Sequence, residues 1–242
     1  MTAIKRKHTA LKITRNIILI FFAVCIVAAG GVTLRGYYMY TGALEQKPIM
    51  RAVGEIRSKD SFTELSQLPD TYLDAVIAAE DHRFYEHGGV DYIAIGRAVY
   101  NDIKAMSFVE GGSTITQQLA KNLYFTQEKE LTRKVAEVFM AWALESRLSK
   151  EEILELYVNS IYFGSGCYSV GEASYTYFDK APSEMTDYES TLLAGIPNAP
   201  SVYDLNENPD LARQRQRQVV GLMVKYSGMS RERAELLACG VN

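Results

Sequence analysis

Gly111-Gly112-Ser113-Thr114-Ile115-Thr116-Gln117-Gln118-Leu119-Ala120-Lys121-Asn122 runs from a glycine turn into a helix of unusual polarity. At 3.6 residues per turn, Thr114, Gln118 and Lys121 share a face. A hydroxyl, an amide and an ammonium then stand where an amphipathic helix places its apolar stripe. Such a face meets either water or a polar ligand. Thr114 followed three residues later by Gln117 also fits a capping box, which requires only that a helix begins here.

Upstream, Ser61-Phe62-Thr63-Glu64 reads as another capping box, and Pro69-Asp70 opens a helix. Leu73, Val76 and Ile77 form its expected buried stripe, and Glu80 continues that face at helical spacing. A carboxylate where a leucine would pack is costly unless it is paired or its pKa rises, so Glu80 is a functional candidate on physical grounds. The segment continues as "EDHRFYEHGGVD", with Asp81 pointing elsewhere; a solvated helix end with a glycine C-cap is the alternative reading. Residues 90–110 carry Ile93, Ile95, Val99, Tyr100, Met106, Phe108 and Val109. They fit a core helix followed by a loop, or a surface that dips apolar side chains into lipid.

Downstream, a helix is expected over residues 131–148, with Leu131, Val135, Val138, Phe139 and Trp142 as its buried stripe. Arg133 and Lys134 lie four and three residues before Glu137, a spacing typical of surface ion pairs, yet two cations soon after another cationic helix also fit an anion site. Ser149 and Thr186 begin further capping boxes, Gly164-Ser165-Gly166 is a turn, and Pro197 ends a helix. Helical stretches follow from Pro209 and from Ser230. With no alternating apolar pattern and no internal repeat, the soluble part reads as mostly α.

The N-terminus is of another kind. Residues 1–15 carry five basic side chains and no acid, and residues 16–34, "NIILIFFAVCIVAAGGVTL", carry no charge. That stretch covers roughly 28 Å as a helix, close to the ~30 Å hydrocarbon core. The expected organisation is a cytoplasmic basic head (1–15), a transmembrane helix (16–34), a juxtamembrane connector with Tyr37, Tyr38 and Tyr40 as an interfacial belt (35–59), and an extracytoplasmic domain (60–242). A cleaved signal peptide is the alternative, disfavoured by the length of the apolar run. The net charge of −3 includes an acid-free basic head, so the rest of the chain is more acidic still and gives little electrostatic support for nucleic-acid binding. Three cysteines imply no disulfide framework, and His8, His82 and His87 show no metal-ligand spacing.

Five blocks follow one another along residues 60–225: Glu80-Asp81-His82-Arg83-Phe84-Tyr85-Glu86-His87-Gly88-Gly89; Gly112-Ser113-Thr114-Ile115-Thr116-Gln117-Gln118; Arg133-Lys134 with Glu137; "ILELYVNSIYFGSG" with "YFDK"; and "LLAGIPNAPS". Together they resemble the peptidoglycan glycosyltransferase family, the lysozyme-like transglycosylase domain also found at the front of bifunctional penicillin-binding proteins. The resemblance implies a two-lobed, mostly α domain behind a transmembrane helix. It implies transfer of a lipid-linked glycan chain to the 4-hydroxyl of lipid II, with release of undecaprenyl pyrophosphate, by a membrane protein whose substrates and bilayer are its partners, along with other cell-wall synthesis proteins.

In that pattern the position of Glu80 is the general base and that of Glu137 a supporting acid. Asp81, Phe84, His87, Thr114, Gln118 and Lys121 are marked as important and, with Asn122, Arg133 and Lys134, make the expected substrate-binding set. A base near operating pH and cations for a departing pyrophosphate suit the reaction. The resemblance implies no cofactor and no metal ligand set, and leaves open an accessory divalent cation such as Mg2+. Ser169, Gly171 and Asn198 depart from the family's usual residues, outside the catalytic set. No penicillin-binding serine motif follows before Asn242, so a monofunctional enzyme is expected unless the chain is part of a longer protein. A muramidase-like hydrolase using two carboxylates and a non-catalytic anchored scaffold are the rival readings.

Overall fold

Side-chain capping fixes several helix starts. The computed structural model describes residues 2–105, 112–125 and 131–240, and every regular element among them is helical. The elements are α1 (Thr2–Gln46), α2 (Ile49–Arg57), α3 (Asp70–Glu80), α4 (Tyr92–Ala105), α5 (Ile115–Tyr124), α6 (Leu131–Glu145), α7 (Lys150–Val158), α8 (Val170–Phe178), α9 (Asp187–Gly195), α10 (Pro209–Tyr226) and α11 (Arg231–Ala238). The boxes at Thr114, Ser149 and Thr186 form as expected and open α5, α7 and α9. The one expected at Ser61 does not; Glu64 instead pairs with Gln67 around a single 3-10 turn.

The helices pack as two sets. α3, α9 and α10 pack on one another with α11 against α10, while α6 carries α5 on one side and α1 along the other, with α7 beside α5. One continuous apolar core, including Tyr72, Val76, Leu119, Met140, Leu144, Leu156 and Leu193, joins the sets. This is the mostly α architecture expected.

Four further expectations shift. α1 does not end near residue 34 but runs unbroken to Gln46, and Ile49, Val53 and Ile56 of α2 belong to the core, so the folded unit reaches into the expected connector. Part of α1, Ile13–Gln46, is the one described helix long and apolar enough to cross a membrane.

α6 is also rotated from expectation. Its core face is Thr132, Ala136, Met140, Ala143 and Leu144, whereas Leu131 is 79% and Trp142 44% exposed. The reason is a second apolar face: Phe139 meets the rings of Tyr37 and Tyr40 of α1 at 5.4 and 5.9 Å. A Cβ on Gly36 would come within 2.7 Å of Val135, so only glycine admits this crossing.

On α3 the buried positions are Tyr72, Ala75, Val76 and Ala78, with Leu73 and Ile77 half-buried at the margin. Tyr92, Ile93, Ile95 and Tyr100 of α4 are exposed, so that helix is not a core helix. Met106, Phe108, Val109 and Gly111 lie outside the described residues.

Candidate active site around Glu80 and the polar helix

α3 ends at Glu80, and the carboxylate points back into protein. Its Oε2 accepts from Gln118 Nε2 at 2.8 Å, and Gln118 Oε1 in turn accepts from the Tyr157 hydroxyl at 3.1 Å. Oε1 is sealed from solvent and has no hydrogen-bond partner among the described residues, although the residue as a whole is only half-buried. Burial pushes the Glu80 carboxyl above its ordinary value. The Gln118 amide, Arg215 and Lys121 pull it back, and Asp81 adds to the rise. A carboxyl raised in this way is suited to accept a proton as a general base.

The next turn is a frame. Asp81 Oδ1 bonds His87 Nε2 at 2.8 Å and its Oδ2 accepts from the Ile115 amide at 3.0 Å, so one buried carboxylate orients the imidazole and caps α5. Burial opposes charge on His87, but the Asp81 bond and the Gly88 carbonyl outweigh it and raise its pKa. Thr114 completes the cap. Its hydroxyl accepts from the Gln117 amide at 3.1 Å and donates to the Gly89 carbonyl at 2.8 Å, leaving 2% of the residue exposed. Gly89 itself passes over α6, where a Cβ would sit 2.7 Å from the Ala141 carbonyl carbon. Phe84 is wholly buried, with the Lys150 ammonium 4.4 Å from its ring centroid. Thr114, Asp81 and Phe84 are thus placed to hold the site's shape.

Gln118, Lys121 and Asn122 face a cavity of about 400 Å³ whose other walls include Tyr162, Tyr168, Pro197 and Asn198. The Tyr162 and Tyr168 rings lie 4.8 Å apart at its side. Burial lowers the Lys121 pKa; Glu137 and Glu80 support the ammonium while Arg133 and Lys134 oppose it. Glu137, 2% exposed, is paired with Arg133 and lies 3.0 Å from Lys134, whose Nζ also donates to Ser113 Oγ at 2.7 Å. A larger cavity of about 580 Å³, lined by Phe62, Glu172, Tyr175 and Pro182 among others, shares no residue with this set.

The Asp81, His87 and Asp91 side chains bring donor atoms within 4.8 Å of one another. Those donors are committed within the chain: Asp91 takes the Arg83 guanidinium at 2.9 and 3.2 Å and the Ile93 and Ala94 amides at 2.8 and 2.9 Å. A histidine is also a poor ligand for Mg2+, which prefers oxygen. The cluster reads as a hydrogen-bond frame.

Tyr157, Tyr162, Tyr168 and Arg215 join the expected residues. The tyrosines lie in or beside the fourth block without any signal separating cleft from core, and Arg215 sits in "RQRQRQ", which reads as surface.

The transglycosylase family model matches residues 46–224. Penicillin-binding protein 1F of Bacillus subtilis (strain 168) is 39% identical over 235 residues, covering 92% of this chain and 32% of that protein. Penicillin-binding protein 1A of Neisseria flavescens is 44% identical over 177 residues, covering 73% and 22%. The crystal structure of penicillin-binding protein 1A from Haemophilus influenzae aligns with TM-score 0.43 and 21% identity over 73% of this chain and 17% of that one. The chain thus spans about a third or less of the length of these relatives.

Proposed function

The chain belongs to the transglycosylase family, and on that premise we propose that it polymerises lipid II into glycan strands at a membrane surface. The observation that carries this reading is the pairing of a base with cations: Glu80, enclosed and raised in pKa, stands one hydrogen bond from the helix that carries Lys121, and Arg133 and Lys134 act electrostatically on that lysine.

The chemistry then runs as one displacement. Glu80 takes the proton of the lipid II 4-hydroxyl as that oxygen forms a bond to the anomeric carbon of the lipid-linked chain. The bond from that carbon to the pyrophosphate oxygen breaks, and undecaprenyl pyrophosphate leaves with the electron pair. Lys121, Arg133 and Lys134 offset the charge that develops on it. Gln118, held by Tyr157, fixes which carboxylate oxygen is free. The cavity walls Asn122, Tyr162, Tyr168 and Asn198 offer rings and amides to sugar.

The membrane enters through α1, with the N-terminus cytoplasmic and the catalytic unit outside by the positive-inside rule. The exposed Tyr92, Ile93, Ile95 and Tyr100 of α4 give a second apolar surface for a lipid substrate's tail.

A hydrolase needs a second available carboxylate. Glu137 is the candidate, and two cations already hold it. Incubation with lipid II tests the proposal: polymer and released pyrophosphate lipid are expected, and shortening of preformed glycan without polymerisation would replace it with the hydrolase.

A further inference from the structure

Asp81, Asp91, Glu137 and Asp204 are the buried acidic residues among the described residues. The first three each have a basic partner: Asp81 meets His87, Asp91 meets Arg83 and Glu137 meets Arg133. Asp204, 5% exposed, has no basic partner among the described residues; its donors are a hydroxyl and backbone amides. Burial alone would raise its carboxyl, but the Ser165 hydroxyl and the amides of Asn206, Ser165 and Glu207 outweigh it and lower the pKa. An enclosed charge held only by neutral groups is costly, so its position needs a reason.

The reason lies in what Asp204 joins. The Ser165 hydroxyl lies 3.0 and 2.9 Å from its two oxygens, and the Asn206 amide donates to Oδ1 at 2.9 Å. Ser165 has φ +45°, between Gly164 at +86° and Gly166 at +80°, a left-handed path that a side chain seldom takes unless something holds it. A Cβ on Gly164 would stand 2.5 Å from Asp204 Oδ2, so the carboxylate sits directly on this turn. The Phe163 amide donates to the Cys167 carbonyl at 2.9 Å and the Cys167 amide to the Gly164 carbonyl at 2.8 Å, which closes the turn. Closure sets the flanking Tyr162 and Tyr168 side by side, with ring centroids 4.8 Å apart, on the substrate cavity. Backwards along the chain from Asp204, the Val202 and Tyr203 amides both donate to the Ala199 carbonyl, at 2.8 and 2.9 Å. That tight segment leads directly to Pro197, Asn198 and Pro200 of the same cavity. The walls that α5 does not supply thus come from two loops, and Asp204 ties one to the other.

We propose that Asp204 is a positioning residue for the substrate cavity: it locks the 163–167 turn to the 199–204 segment and so holds the Tyr162–Tyr168 pair and Asn198 at one spacing for a sugar. This rests on the reading of that cavity as the place where the glycan substrate binds. Asp204 is not among the cavity's lining residues, so it acts through the walls. Loosening them weakens binding while the Glu80–Gln118–Tyr157 chain on the helices stays in place.

The test uses Asp204→Ala, Asp204→Asn and Ser165→Gly in the full chain. In lipid II polymerisation, Asp204→Ala raises KM about tenfold, as loss of a hydrogen-bonded carboxylate predicts, with kcat within about twofold of the parent. Asp204→Asn, which keeps one acceptor oxygen, recovers most of the loss. Ser165→Gly removes only the hydroxyl tie, since glycine accepts the positive φ, and raises KM in the same direction. Fluorine-19 NMR of protein labelled with 3-fluorotyrosine follows Tyr162 and Tyr168, assigned by their loss in Tyr162→Phe and Tyr168→Phe. Both signals shift or broaden in Asp204→Ala and in Ser165→Gly, while that of Tyr72 in the core stays. If Asp204→Ala does not fold, Ser165→Gly carries the test. Unchanged Tyr162 and Tyr168 signals in a variant with parent-like melting overturn the proposal, as does a fall in kcat at unchanged KM. The NMR needs no turnover, so absence of polymerisation in the parent sinks the activity reading while the tie is still measured.

Discussion

Glu80 and Glu137 are both enclosed carboxylates at the same site, and their surroundings are opposite. Glu137 is held by Arg133 and Lys134 on its own helix, at the spacing that i, i+3 and i, i+4 pairs require. Glu80 has one neutral amide on one oxygen and, among the described residues, no hydrogen-bond partner on the other. Two cations clamp one carboxylate in an ion-pair cluster; a lone amide leaves the other able to change protonation. The environment divides the work between two chemically identical groups.

Glu80→Gln is the sharpest way to break that division. Polymerisation should fall by about 10²–10⁴-fold, the range of a general base, and activity within a few-fold of the parent would return Glu80 to a packing role. The same substitution removes a carboxylate whose ionised form is disfavoured, so it should stabilise the fold. The sign follows from the raised folded-state pKa: the native state holds the Glu80 proton more tightly than the unfolded chain. Its contribution is fully present below the ordinary glutamate range and is lost as pH rises through the folded value. The melting advantage of Glu80→Gln over the parent should therefore widen with pH across that window; a constant gap would show that no proton is linked to folding here.

Glu137→Gln should do the reverse. It leaves Arg133 and Lys134 facing each other without their anion and costs about 1–3 kcal/mol, reduced because Lys134 is 45% exposed. Chemical denaturation reads this directly, and an unchanged midpoint would mean the triad is not a structural clamp. Lys121→Ala should weaken binding of a phosphoglycolipid such as moenomycin by roughly tenfold, the loss of one charge-assisted contact; calorimetric affinity equal to the parent's would remove Lys121 from the phosphate role. The smallest effect belongs to Thr114. Thr114→Ala should cost about 1 kcal/mol by loss of the cap, with Thr114→Ser recovering most of it. An activity loss far beyond the stability loss would place the hydroxyl in the cleft instead.

What was legible in the sequence was what stays local. The boxes at Thr114, Ser149 and Thr186 involve groups three residues apart, so periodicity and capping chemistry locate them. Glu80 was legible because a carboxylate interrupts an apolar stripe, and Gln118 and Lys121 because an amide and an ammonium share a face. The phase of α6 was not. It has two apolar faces, and which one meets the core depends on Tyr37 and Tyr40, about a hundred residues earlier. Thr114 and Phe84 were found as residues of the site, but sequence cannot distinguish lining a cleft from holding its frame. Arg215 left no signal because its neighbour Gln216 is buried against Thr191 at 3.0 Å, an arrangement that only the packed helix reveals.

The Gly36 crossing has a consequence for where the reaction takes place in height. Gly36 stands two residues beyond the last residue of the apolar stretch and lies against Val135, next to Lys134. On the proposed reading of α1 as an upright membrane anchor, the joint would act as a depth gauge that sets Arg133 and Lys134 near the plane in which lipid phosphates float. A substrate tethered by its own tail would then arrive already level with the cations, and the search would be reduced from three dimensions to two. A larger residue at position 36 would tilt that gauge without touching any reacting group.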